Sequence, residues 1–156
     1  MQFSISNTKL DEEILSKNEE EIIPYFEDYD DRKMWMSYWY QIKKVLDTGG
    51  ENVLVVGVGN KTVTNYLKTI SKYTQNLEEV TTADIDENLN PDQICDVLEL
   101  SKQFNNKKYD TVLCAEVLEH LPFKKFEKAL EELKKVSKEW VIISLPYSGK
   151  SIKFSL

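Results

Sequence analysis

The sequence predicts an open α/β sheet, mostly parallel, with about five strands and helices on both faces. Three observations predict it. Short runs rich in apolar residues recur at "NVLVVGV" (52–58), "EEVTTADI" (78–85), "YDTVLCAEV" (109–117) and "EWVIISLPY" (139–147). Stretches with apolar residues three and four apart lie between them. A run such as "NVLVVGV" is apolar without alternation, which reads as a strand covered on both faces, as parallel strands are. Strands and helices in alternation then call for crossover connections around one core.

The elements follow in order. Residues 1–31 show weak periodicity, with a short helix possible around 10–22. They carry Asp11, Glu12, Glu13, Glu19, Glu20, Glu21, Glu27, Asp28, Asp30 and Asp31 against Lys9 and Lys17. The net charge of −7 therefore sits in this arm, and the rest of the chain is nearly neutral. The reading is an acidic N-terminal arm or lid (1–31) before one domain (32–156). A solvated arm is the expected state of such a charge run. In "DRKMWMSYWYQIKKVLDTGG" residues Trp35, Tyr38, Trp39, Ile42, Val45 and Leu46 share a helical face, expected to pack on the sheet, and Gly49 and Gly50 stop the helix. After the first strand, Val63, Tyr66, Leu67, Ile70 and Tyr73 keep helical spacing. "DQIC" (92–95) is a short third strand. "PFKKFEKALEELKKVS" places Phe126, Ala129, Leu130, Leu133 and Val136 on one face of a helix before the last strand.

Composition limits the classes of function. A chain of 156 residues, 41% hydrophobic and 30% charged, is ordinary for one globular domain. It has no apolar run near the ~18 residues that a membrane span needs. The N-terminus has no basic region followed by an apolar one, so it does not read as a secretory signal. The two cysteines, Cys95 and Cys114, lie in apolar segments with no CxxC, and read as reduced core residues of a cytoplasmic protein. No basic footprint for nucleic acid stands out. No His/Cys/Asp cluster has metal-ligand spacing, and "DIDENLNPD" departs from the calcium-loop pattern, which wants glycine at its sixth position.

"NVLVVGVGNKTV" carries the first chemical signal. Gly57 and Gly59 end a strand and open a helix, where glycine lets the backbone approach a ligand closely. Taken alone, a GxG also serves as a tight turn. Asp84 ends the second strand in "TTADID". A carboxylate there offers two acceptor oxygens to a pair of ribose hydroxyls, while a turn acid is the plainer alternative. Where a dinucleotide loop would carry a third glycine, this chain has Lys61. A cofactor without a pyrophosphate asks less of the helix N-terminus.

"YDTVLCAEVLEHLPF" (109–123) resembles the segment after strand four in class I S-adenosylmethionine-dependent methyltransferases. "NVLVVGVGN", "VTTADID", "ICDVLEL" and "EWVIISLP" fall in that family's order, so the resemblance covers about residues 33–147 and implies a Rossmann-like sheet. It implies that Gly57 and Gly59 pass under the methionine and ribose, that Asp84 holds the ribose hydroxyls, and that Ile85 packs on the adenine. Asp96 would bond the adenine amino group and Val97 would offer its backbone N–H to the ring. Cys114 and Ala115 would run past the cofactor. Glu116, Glu119 and His120 would face the acceptor, with His120 as base if the nucleophile must lose a proton. Tyr25 and Tyr29 would close the site as a lid.

Three departures accompany the resemblance. Val55 stands where many members carry an acid for the cofactor's amino group, and Lys61 replaces the third glycine. The family sheet usually has two further strands, whereas "SGKSIKFSL" offers at most the start of one. The expectation is either a chain cut short after strand five or a minimal variant; truncation would expose a sheet edge that favours a homodimer. The implied activity is methyl transfer from S-adenosylmethionine to an unnamed small molecule or protein. The alternatives are a non-catalytic cofactor-binding fragment and, from a different class, an NAD-dependent oxidoreductase.

Overall fold

A computed structural model describes residues 32–74, 76–105 and 107–146. The chain divides into two units, residues 1–37 and 38–156. Of the first, the described residues are 32–37. The expectations for the acidic arm, for Tyr25 and Tyr29, and for "SGKSIKFSL" lie outside the described residues.

Helix α1 (Arg32–Thr48) leads into β1 (Asn52–Val56), then α2 (Thr62–Ile70) and β2 (Glu79–Asp84). A two-residue β3 (Gln93–Ile94) follows, then a one-turn helix and the short α3 (Leu100–Gln103). Strand β4 (Tyr109–Ala115), helix α4 (Phe123–Val136) and β5 (Ser137–Ser144) complete the described chain. The sheet order is β3-β2-β1-β4-β5 and every pairing is parallel. The order reverses between β1 and β4, and at such a reversal a crevice opens at the strands' carboxyl ends.

Side chains alternate across a strand, and β1 shows why its run from Val53 to Val56 is apolar throughout. Leu54 and Val56 join Val112 and Cys114 of β4 in a cluster with Ala129, Leu133 and Val136 of α4. Val53 and Val55 point the other way, into a cluster with Val45 of α1, Val63 and Leu67 of α2, and Leu113 of β4. Each fully buried side chain of this size contributes about 1.5–3 kcal/mol. Both central strands are thus covered on both faces. Strand β5 is not: among the described residues it is an edge of the sheet, with Trp140, Val141 and Ile143 exposed.

Three expected faces are corrected. On α1 the packed stripe is Tyr38, Gln41, Ile42 and Val45, while Trp35, Trp39 and Leu46 are exposed. Steps of three and four from Tyr38 reach Gln41, Ile42 and Val45; the tryptophans fall on the adjoining stripe. On α4, Leu130 is exposed and Glu132 is buried in the packed face. The Glu132 carboxylate accepts from the Ser101 backbone N–H at 2.8 Å and from Lys135 Nζ at 2.8 Å, which satisfies a buried charge. After Ile70 helix α2 has ended, so Tyr73 leaves the helical face and, like Tyr66, is exposed.

Candidate active site

The carboxyl ends of β1, β2 and β4 meet at the reversal of strand order. Gly57 N–H donates to the Ala83 carbonyl at 2.9 Å, continuing the β1–β2 ladder by one step. The chain then turns through positive φ at Gly57 (+87°), Gly59 (+51°) and Lys61 (+66°). A side-chain carbon at Gly57 would stand 2.3 Å from Val117 Cγ2 and 3.4 Å from the Ala115 carbonyl oxygen. Gly57 is therefore required twice, by its backbone angle and by the loop after β4 that lies on it. Gly59 differs: nothing lies within 4 Å of where its side chain would begin. The space over Gly59 is open, and glycine keeps it so.

Asp84 fastens this loop. Its Oδ2 accepts from Val58 N–H at 2.6 Å and its Oδ1 from Asp86 N–H at 3.0 Å. The turn-acid reading is thus correct as far as it goes. Each carboxylate oxygen accepts more than one hydrogen bond, so acceptor capacity remains for two hydroxyls. Ile85 follows in the chain, a large apolar side chain that is 70% exposed. Asp96 Oδ1 accepts from Leu98 N–H at 2.9 Å as the cap of the one-turn helix, and Val97 is buried beneath it. Cys95 N–H donates to the Asp84 carbonyl at 2.8 Å, which ties this segment to the end of β2.

On the other side of β1, Cys114 is fully buried and Ala115 partly so. Burial pushes the Cys114 thiol up to about 12, and burial with the neighbouring acids pushes Cys95 up to about 11. Both are packing residues with little thiolate character. Glu116 takes φ +54°, uncommon for a residue with a side chain. It is held there twice, by its N–H on the Ser144 carbonyl (3.0 Å) and by Ser144 Oγ on its Oε1 (2.7 Å). Burial of its carboxyl, together with the Glu116 charge, raises Glu119 above the usual carboxylate range. His120 closes a single helical turn, its N–H on the Val117 carbonyl at 3.1 Å, and is exposed at the rim. Among the described residues, no three His, Cys, Asp or Glu side chains are grouped to hold a metal. No helix among them is long and apolar enough to cross a membrane.

Three contributors were missed in the sequence reading. Val117 roofs Gly57. Ser144 fixes Glu116 from the end of β5. Asn60 joins the loop to α1: its Nδ2 donates to the Tyr38 hydroxyl at 2.9 Å, and its Oδ1 accepts from Thr62 N–H at 3.1 Å. Each pairs residues far apart in the chain, and no local pattern announces such a pair.

A family model described as a methyltransferase domain matches residues 54–143. No curated protein matches the chain. Among solved structures, the crystal structure of the methyltransferase domain of bacterial CtHen1 superposes with a TM-score of 0.52 at 18% identity. The match covers 69% of this chain and 63% of that one, so the chain spans less than two thirds of its neighbour's length. At that identity the likeness concerns the fold alone.

Proposed function

The chain belongs to the methyltransferase-domain family, and from that premise we propose that it transfers a methyl group from S-adenosylmethionine to a small-molecule or protein acceptor. The observation that carries this reading is the Gly57–Gly59 loop, fastened to Asp84 and left open over Gly59 at the reversal of strand order. The residues there fit the cofactor in kind. Asp84 would take the ribose hydroxyls on its remaining lone pairs. Ile85 would cover one face of the adenine, with Asp96 and the Val97 N–H at the ring edge. Gly57 and Gly59 would pass beneath the sulfur and the amino-acid tail, flanked by Cys114 and Ala115.

When bound, S-adenosylmethionine supplies a methyl carbon already activated by its sulfonium. The protein's work is then to align the acceptor and exclude water. Glu116, pinned by Ser144, and His120 are the groups proposed to face an incoming acceptor. If the acceptor atom carries a proton, His120 is the group proposed to take it. A second reading, cofactor binding without turnover, is favoured by Val55 and Lys61. Val55 is buried and apolar where an acid would hold the cofactor's ammonium. The oxidoreductase alternative has no observation in its favour.

The test is calorimetric titration with S-adenosylmethionine and S-adenosylhomocysteine, with NAD as control. Asp84→Ala alone would be ambiguous, because it also frees the Val58 N–H. Ile85→Ser is the cleaner partner, since Ile85 is exposed and its loss should leave the melting temperature unchanged. Binding of both sulfur ligands, weakened about 5–10-fold in Ile85→Ser, is expected; removing an apolar contact worth about 1 kcal/mol has that effect. No binding by the folded wild type would sink the proposal. Binding without methyl transfer across an acceptor screen would favour the second reading.

A further inference from the structure

We propose that Tyr38 is a positioning residue for the amino-acid end of the bound cofactor, acting through Asn60. The inference rests on the cofactor site proposed above and adds a residue that lies before the matched residues 54–143. In the sheet order β3-β2-β1-β4-β5, Asp84, Ile85 and Asp96 all lie at the ends of β2 and β3. A nucleoside held there leaves its amino-acid tail to extend the other way, across β1 toward β4. Tyr38 packs on the cluster that holds Val55 of β1, Val63 and Leu67 of α2 and Leu113 of β4, and its hydroxyl reaches Asn60 in the loop after β1.

Val55 puts a methyl-bearing side chain where a charged partner for the tail would be expected, and it is buried. Recognition of a zwitterionic tail would then fall to the loop after β1, where the space over Gly59 is open. That segment is held at both ends of one carboxamide. Asn60 Oδ1 receives the Thr62 N–H, so its Nδ2 must face Tyr38, and the Tyr38 hydroxyl oxygen accepts at 2.9 Å. The next residue, Lys61, sits at φ +66° with its N–H on the Val58 carbonyl at 3.1 Å. A left-handed non-glycine residue is disfavoured unless its surroundings hold it. Tyr38, from a helix outside the loop, helps to supply that hold.

The experiment compares two ligands on four proteins: wild type, Tyr38→Phe, Asn60→Ala and the double variant. S-adenosylhomocysteine has the amino-acid tail; 5′-methylthioadenosine keeps the nucleoside and sulfur and lacks it. Both single variants should weaken S-adenosylhomocysteine about 3–10-fold, the effect of losing one hydrogen bond that fixes a binding segment. Methylthioadenosine should change by less than about twofold, since the nucleoside half is untouched. The double variant should be little worse than either single, because the two residues act through one bond. Equal loss of both ligands would assign Tyr38 to general loop stability and overturn the inference while leaving the proposed function intact. Unchanged affinity for both would overturn it as well. Wild type that binds neither ligand would remove the proposed function and this inference together. If Tyr38→Phe fails to fold, Tyr38→Leu takes its place in the same comparison, because Asn60→Ala alone also removes the acceptor of the Thr62 N–H.

Discussion

Gly57→Ala puts the proposed interlock between the loops after β1 and β4 to a quantitative test. The new methyl carbon would lie 2.3 Å from Val117 Cγ2, against about 3.5–4.0 Å for a relaxed carbon contact. One of the two must move by more than about 1 Å. Overpacking of this kind costs about 1–3 kcal/mol. The angle adds to it: φ is +87°, and an L-residue in the left-handed region costs about 1–2 kcal/mol. The sum is about 2–5 kcal/mol, or roughly 4–20 °C in melting temperature at ~2–4 °C per kcal/mol for a domain of this size. Thermal unfolding followed by circular dichroism measures it. Adding Val117→Ala should recover at least ~1 kcal/mol relative to the sum of the single effects, because the nearest remaining Val117 carbon, Cβ, stands at 3.9 Å. Gly59→Ala is the counterpart. With nothing within 4 Å it should lose only ~1–2 kcal/mol, from its angle, yet weaken S-adenosylhomocysteine at least tenfold by filling the cradle. A Gly57→Ala protein melting within 1 °C of wild type would refute the packing argument.

Four further outcomes are expected. Glu132→Ala removes the acceptor of the part-buried Ser101 N–H and should destabilise by about 1–3 kcal/mol in urea titration; an effect below ~0.5 kcal/mol would mean that solvent replaces the carboxylate. Lys138, with the N–H groups of Asn52, pulls the Asp110 carboxyl down to about 2. Its ionised form therefore stabilises the fold fully above the unfolded value near pH ~4 and loses that contribution as pH falls toward 2. Asp110→Asn should melt lower than wild type at pH 7, with the gap closing on acidification; a gap independent of pH would reject the assignment. Lys61→Gly relieves a left-handed side chain at some cost in chain entropy, so the melting temperature should stay level or rise by up to ~3 °C; a clear fall would reveal a contact by the lysine stem. For the exposed edge of β5, we propose self-association. Sedimentation should show a concentration-dependent dimer that Trp140→Lys abolishes, and a monomer at every concentration would reject it.

The sequence foretold the sheet better than the helix faces, for physical reasons. Parallel strands covered on both sides carry an unbroken apolar run, and β1 has one from Val53 to Val56 and β4 one from Val112 to Ala115. Helix faces are subtler. Spacings of three and four fit both the packed stripe through Tyr38, Gln41 and Val45 and its neighbour through Trp35 and Trp39. Residue size misled there, since a polar Gln41 is buried and two tryptophans are exposed. Glu132 misled in the opposite sense, because its partners Ser101 and Lys135 make a buried carboxylate tolerable. Gly57 and Asp84 stood out because each answers a local demand, a turn or a strand end. Val117, Ser144 and Tyr38 answer demands from elsewhere in the chain, and only the folded arrangement reveals them.

The contact between Gly57 and Val117 also bears on how the protein is born. A ribosome adds about 5–20 residues per second, so the roof of the glycine loop is polymerised roughly 3–12 s after its floor. Until then β1 has β2 on one side and no neighbour on the other, for β4 is its second partner. A nascent chain in which β1 and β2 had already paired would leave one edge of its central strand open until β4 arrived to close it.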